Sequence, residues 1–189
     1  MAKQIWKPGN MLYPVPAVMV SCARPGEKPN IITVAWAGTV SSGPVMVSIS
    51  VRPERHSHAI IKETGEFVIN LTTAALTRAT DYCGVRSGRE VDKFSEMHLT
   101  PMPAASLQHA PVIAESPVNL ECRVTQIIPL GVHDMFLAEV TNVQVDESLL
   151  DESGKLALES ADLVAYSHGS YYRLGEKLGS FGYSVRKKK

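Results

Sequence analysis

Period-two alternation constrains this chain more than any other feature. From Val45 to Val51, the apolar residues Val45, Val47, Ile49 and Val51 alternate with Met46, Ser48 and Ser50, the pattern of a strand with one buried face. The rhythm returns over residues 118–128, through Val118, Leu120, Cys122 and Val124. It returns again over residues 135–145, with Phe136, Ala138 and Val140 opposite Met135, Leu137 and Glu139. Pro129-Leu130-Gly131-Val132 joins these last two runs, which predicts a hairpin. Strands of this kind must pair their backbone groups, and closure into an antiparallel barrel removes the exposed edges.

Other elements fit around these. Residues 15–22 and 31–36 are expected as strands, separated by Arg24-Pro25-Gly26-Glu27-Lys28-Pro29, the second running on to Val40 before Gly43-Pro44 breaks the chain. Ser57 has N-cap chemistry, residues 59–63 suit a helix, and Gly65 is a natural stop. Residues 66–71 read as strand and 74–82 as a second helix, whereas 84–93 are polar and turn-rich. Pro101, Pro103, Pro111 and Pro117 imply a long extended connection, and a further short strand is expected near residues 163–166. The sum is a mainly β protein, a six-stranded antiparallel barrel with short interspersed helices. At 189 residues, the chain suits one domain spanning 1–189.

Charge narrows the function. Nineteen basic side chains balance nineteen acidic ones, so the positive footprint of a nucleic-acid binder is missing. The Arg186-Lys187-Lys188-Lys189 tail reads as a solvated terminus. No apolar stretch approaches a membrane span, and the segment from Val15 to Ala23 is too short and too proline-flanked for a signal peptide. A cytoplasmic location is expected, without membrane or nucleic-acid partners. Cys22, Cys83 and Cys122 form no CxxC pair, and Cys22 and Cys122 read as small buried hydrophobes.

Motifs for familiar chemistries are missing. GxGxxG does not occur after a strand, and Gly175, Gly179 and Gly182 lack the βαβ setting. Ser41-Ser42-Gly43 and Ser170 lack a GxSxG context, and His133-Asp134 reads as a solvated hairpin end. His56 and His58 offer two imidazoles to a metal, but no third ligand is evident and Arg52 and Arg55 would repel a cation, so no metal is expected. The same group suits an anion at a helix start. A second cluster, Arg86-Ser87-Gly88-Arg89-Glu90-Val91-Asp92-Lys93, joins a flexible turn to three cations. The small residues around Trp36, from Thr33 to Thr39, would let a flat ring approach the backbone.

A resemblance gives these clusters one meaning. Asn30-Ile31-Ile32-Thr33-Val34-Ala35-Trp36-Ala37-Gly38-Thr39, Ser48-Ile49-Ser50-Val51-Arg52 and Thr64-Gly65-Glu66-Phe67-Val68-Ile69-Asn70-Leu71 recur together in one family. With them go Asp81-Tyr82-Cys83-Gly84, Ser87-Gly88-Arg89-Glu90-Val91-Asp92-Lys93-Phe94 and Gly179-Ser180-Phe181-Gly182-Tyr183-Ser184-Val185. From about Tyr13 onward, the chain resembles flavin reductase-like proteins of the flavoredoxin type.

The resemblance implies a Greek-key split β-barrel that binds FMN, as a homodimer. Thr33, Val34, Ala35, Trp36, Thr39 and Val40 would line the isoalloxazine. Ser50, Val51 and Arg52 would follow the ribityl chain, with Ser57 near the phosphate and Ser87, Gly88 and Lys93 closing that end. Electrons would pass from NADH or NADPH through FMN to a small-molecule or protein acceptor. No side chain need act as acid, base or nucleophile, since the cofactor carries the chemistry. An FMN electron carrier reduced by a protein partner, and a non-catalytic flavin- or haem-binding barrel, are the alternatives.

Overall fold

Alternation builds the frame, but the chain spends its strands differently from the simplest reading. In the computed structural model, which describes residues 1–186, the strands are β1 (Val15–Pro16), β2 (Val18–Cys22), β3 (Asn30–Val34), β4 (Ala37–Ser42), β5 (Val45–Val51) and β6 (Glu66–Leu71). After them come β7 (Pro101–Met102), β8 (Val112–Ile113), β9 (Val118–Pro129), β10 (Asp134–Val145), β11 (Val164–Ser167) and β12 (Ser170–Arg173). The helices are α1 (His56–Thr64), α2 (Thr77–Val85) and α3 (Lys93–Glu96). The lysines at 187–189 of the basic tail lie outside the described residues.

Seven strands, not six, form the main antiparallel sheet, in the order β3-β2-β6-β9-β10-β5-β4. The seventh arises because the run expected to continue through Trp36 bends after Val34. Beyond the bend the chain pairs with β5 instead of β2, and Ser50 N donates to Trp36 O at 2.9 Å. β3 and β4 therefore sit at opposite edges and share no ladder; the barrel is split there rather than closed. β5, β6, β9 and β10 form a Greek key, in which α1 carries the chain from β5 across to β6 and β10 returns beside β5.

Side-chain alternation holds in β5 from Val47 onward, with Val47, Ile49 and Val51 buried, but Val45 at the start of the strand is exposed rather than buried. In the β9–β10 hairpin, two register shifts leave Thr125 and Thr141 outside the ladder. Phe136 and Ala138 thereby stay on the buried face, and Val140 packs half-buried against it. Inside the curl, Val18, Val20 and Cys22 meet Phe67, Cys122 and Phe136, while Ile60 and Ile61 of α1 plug one end. β2 is buried on both faces, because Met19 and the neighbouring Ile31 pack outward against Ala79, Cys83 and Phe94 of α2 and α3. That explains its unbroken apolar run. α2 begins three residues later than the spacing suggested, and α3 lies where the polar loop was expected to end.

The proline-bearing segment is tied down by buried carboxylates. Glu121, fully buried, accepts from Ala105 N (2.9 Å), Ser106 N (2.6 Å), Ser106 Oγ (2.6 Å), Asn142 Nδ2 (3.0 Å) and Gln144 Nε2 (2.8 Å). Glu66 accepts from Gln108 N and His109 N in the same way. Burial pushes the Glu121 carboxyl up, yet the donors from Ser106, Gln144, Ala105 and Asn142 outweigh it and hold the group at about 2. With the folded value below the ordinary 4.5, this stabilisation is complete above that value and is lost as pH falls toward about 2. Glu121→Ala strands several donors at once, and each unsatisfied buried donor costs about 1–3 kcal/mol. Denaturant unfolding at neutral pH should register that loss, and limited proteolysis should cut first near residues 103–110. Unchanged stability and an unchanged cleavage pattern would contradict the clamp.

Candidate functional site

Two adjoining clefts open where β3 ends and α1 begins. The first, of about 200 Å³, is lined by Asn30, Arg55, His56, Ser57, Ser87, Gly88 and Lys93 among others. The second, of about 220 Å³, is lined by Thr33, Val34, Ala35, Trp36, Ser50, Val51, Arg52 and Gly84, with His133 at its side. Ile32 and Arg55 belong to both. Of the residues singled out in the sequence, eleven thus gather along one groove. Thr39 and Val40 do not join them, since both lie exposed on the edge strand β4.

The helix start differs from its sequence signature. Arg55, extended at φ −72° and ψ 138°, is the N-cap, with no side-chain cap; Ser57 falls inside the first turn, buried. Its Oγ accepts from Asn30 Nδ2 at 2.7 Å. A helix start without a side-chain cap leaves backbone N–H groups for water or an anion. Gly65 ends the helix at φ 69°, as expected. On the facing loop, a Cβ at Gly88 would stand 2.0 Å from Asn30 Oδ1, so only glycine lets that loop approach.

Three cations here hold carbonyl oxygens rather than carboxylates, although Glu54 also lines the first cleft. Arg55 Nη2 donates to Gly84 O, Arg89 Nη1 to Glu54 O at 3.0 Å, and Lys93 Nζ to Ile31 O (2.6 Å) and Cys83 O (2.8 Å). None of the three has a carboxylate partner among the described residues. Their neighbours differ: Lys28 pairs with Asp92 at 3.1 Å, Arg52 with Glu54 at 3.5 Å and Arg86 with Glu90 at 3.9 Å. Lys93 is 2% exposed, and burial pushes its ammonium down to about 8. The thiols beside it are pushed up by burial, Cys83 to about 11 and Cys22 to about 12, so neither supplies a compensating anion near neutral pH.

The two histidines of the HxH pair diverge. His58 turns inward, its Nε2 2.8 Å from Asp134 Oδ2 and its ring edge-on to Phe136 at 5.2 Å. His133-Asp134 is therefore no solvated hairpin end: Asp134 fastens α1 to β10, and His133 flanks the second cleft. His56 stays in the first cleft, its imidazole held below the ordinary range by burial and then by Arg89 and Arg24. Asn30, Gly84 and His133 line the groove without having been assigned to it from the sequence, where Asn30 and Gly84 stood only within recurring motifs and His133 was read as solvated. Asn30 had a signal, as an amide at the head of an apolar strand; His133 had none.

The comparisons with known proteins agree with this architecture. The flavin reductase like domain matches residues 11–175, and the chain belongs to that family. It is similar to the flavoredoxin of Desulfovibrio vulgaris (Miyazaki F), with 31% identity and a TM-score of 0.90, covering 98% of this chain and 100% of the other. The flavoredoxin of Methanosarcina acetivorans follows with 28% identity and a TM-score of 0.86, at 98% and 100% coverage. An Archaeoglobus fulgidus protein is 31% identical over 140 residues, 74% of this chain and 77% of its own. The NADPH-flavin oxidoreductase of Streptomyces viridifaciens is 27% identical over 125 residues, covering 65% of this chain and 63% of that one.

Lys93 gives the site a pH signature. Its folded value near 8 lies below the ordinary 10.5, so between the two the unfolded chain binds a proton that the folded chain does not. Stability from this group therefore rises with pH across that window. Measured against Lys93→Met, with no anion present, wild-type stability should gain ground from about pH 8 to 10.5. A difference that stays flat in chemical denaturation would show that the ammonium is not desolvated.

Proposed function

We propose that this protein binds FMN along the two clefts and passes electrons through it, from NADH or NADPH to a small-molecule or protein acceptor. The observation that carries the reading is the set of Arg55, Arg89 and Lys93, which hold backbone carbonyls only beside a helix start with no side-chain cap. Such a corner suits a phosphate monoester dianion. Ser57, Ser87, Gly88 and Lys93 hold the phosphate; Ser50, Val51 and Arg52 follow the ribityl chain. Thr33, Val34, Ala35 and Trp36 then face the ring. When bound, the flavin supplies the hydride and electron chemistry. The chain's own work is to bind, orient and shield.

Thr39 and Val40 enter this reading through a second subunit. β4 is an open edge carrying exposed Val40, and Met11, Leu12, Leu178 and Phe181 are exposed apolar side chains nearby in sequence to the two termini. An open edge and apolar arms favour burial against another copy, and a two-fold homodimer is the simplest closed arrangement. A second reading, an electron carrier reduced by a protein partner, is favoured by the full-length similarity to flavoredoxins.

FMN titration of the flavin-free protein tests the site. Arg55→Ala and Ser57→Ala should each weaken FMN by about 1–3 kcal/mol, the scale of one charge-assisted hydrogen bond, while Arg78→Ala on α2 leaves it unchanged. The loaded protein should sediment as a dimer and oxidise NADH or NADPH. Loading without NAD(P)H oxidation favours the electron carrier. Absence of FMN binding in the wild type contradicts both readings.

A further inference from the structure

A row of aromatic rings runs away from the groove and has no part in holding a phosphate or a sugar. The Trp36 and Tyr13 ring centroids are 6.2 Å apart, Tyr13 and Tyr166 are 6.2 Å apart, and Tyr166 and Tyr171 are 5.4 Å apart. The four rings come from distant parts of the chain. Trp36 sits in the bend between β3 and β4, Tyr13 precedes β1, and Tyr166 and Tyr171 face each other across the β11–β12 pair. Three separate segments have thus been brought into one file of contacts.

The two ends of the file differ in chemistry. Trp36 lines the second cleft. Tyr171, at the other end, donates its hydroxyl to Asp81 Oδ1 at 3.3 Å, and Asp81 is exposed on α2. Among the described residues, no carboxylate accepts from Tyr13 or Tyr166. That contrast matters because indole and phenol are the side chains that most readily give up one electron, and an oxidised phenol sheds its proton. A tyrosine already bonded to a carboxylate has somewhere to send it. Burial, followed by the Asp81 charge, pushes the Tyr171 phenol up to about 12, so the proton is in place beforehand.

We propose that Trp36, Tyr13, Tyr166 and Tyr171 form an electron-donating row that discharges an oxidising equivalent from a bound flavin to the surface at Asp81; the proposal rests on the flavin reading above. The oxidant is the light-excited isoalloxazine. Trp36 gives it one electron, and the vacancy is refilled in turn from Tyr13, Tyr166 and Tyr171. Tyr171 finally loses one electron to the row and one proton to the Asp81 carboxylate. The balance is one electron gained by the ring, one electron and one proton lost by Tyr171, and one proton gained by Asp81. Return of the electron and proton restores the starting state, with no further reactant.

Flash excitation of the FMN-loaded, full-length protein tests the row, with tyrosyl-radical absorbance and flavin fluorescence as separate readouts. In wild type the tyrosyl signal should appear after the flash. Tyr171→Phe should abolish the long-lived part of that signal and speed recombination, with fluorescence still quenched because Trp36 is intact. Asp81→Asn, which keeps the shape and removes the proton acceptor, should give the same loss. Trp36→Phe should brighten the flavin. Radical yield and recombination unchanged in Tyr171→Phe, with FMN bound, would overturn the row and leave the flavin reading standing. Loss in Tyr171→Phe without loss in Asp81→Asn would overturn Asp81 as its terminus. Failure of the wild type to bind FMN would overturn the flavin reading and the row together.

Discussion

Three cations bonded to carbonyl oxygens, and to no carboxylate among the described residues, join the parts of the groove. Lys93 reaches Ile31 on β3 and Cys83 on α2, Arg55 ties the start of α1 to Gly84, and Arg89 ties its loop to Glu54. For Lys93, the one buried cation of the three, carbonyl dipoles offset part of the cost of leaving water without cancelling the charge. The same bonds therefore assemble the cleft and keep it attractive to an anion. A carboxylate in any of these places would have held the segments together equally well and spoiled the site.

The split in the barrel has a related consequence. Because β3 leaves the sheet at Val34 and β4 resumes at its opposite edge, Ala35 and Trp36 lie between the two ladders next to the cleft, with Trp36 O still accepting from Ser50 N. The outer face of β2 and β3 is covered by α2 and α3, and the polar side chain of Thr33 is bonded to Thr80 O. The groove is thus fixed from behind by packing and remains open in front. That division suits a binding surface made largely of backbone and small side chains, which gains precision from the rigidity of what lies beneath it.

Much of this was legible in the chain. β5 and the β9–β10 hairpin announced themselves through a period of two, whereas β6 is buried on both faces and carries no such rhythm. β2 has two buried faces, and its boundaries came from turn residues instead. The β3–β4 bend was invisible because Ala35 and Trp36 are as compatible with a strand as with a break; only the exchange of pairing partner decides it. Ser57 carried a capping signature that Arg55 fulfils through backbone geometry alone. Clusters such as Ser87-Gly88 and Lys93 could be recognised by residue type. His133, by contrast, reaches the groove through the length of a hairpin, and long-range register of that kind leaves no local trace.

The central claim is that the first cleft is a phosphate site and the second a ring site, and comparing FMN with riboflavin tests it most directly. The two differ only in the phosphate. Titration of the flavin-free protein should give FMN the tighter binding, and Arg55→Ala should shrink that advantage by lowering FMN affinity more than riboflavin affinity. Equal affinities for the two flavins in the wild type, or an advantage of FMN that survives Arg55→Ala intact, would contradict the account.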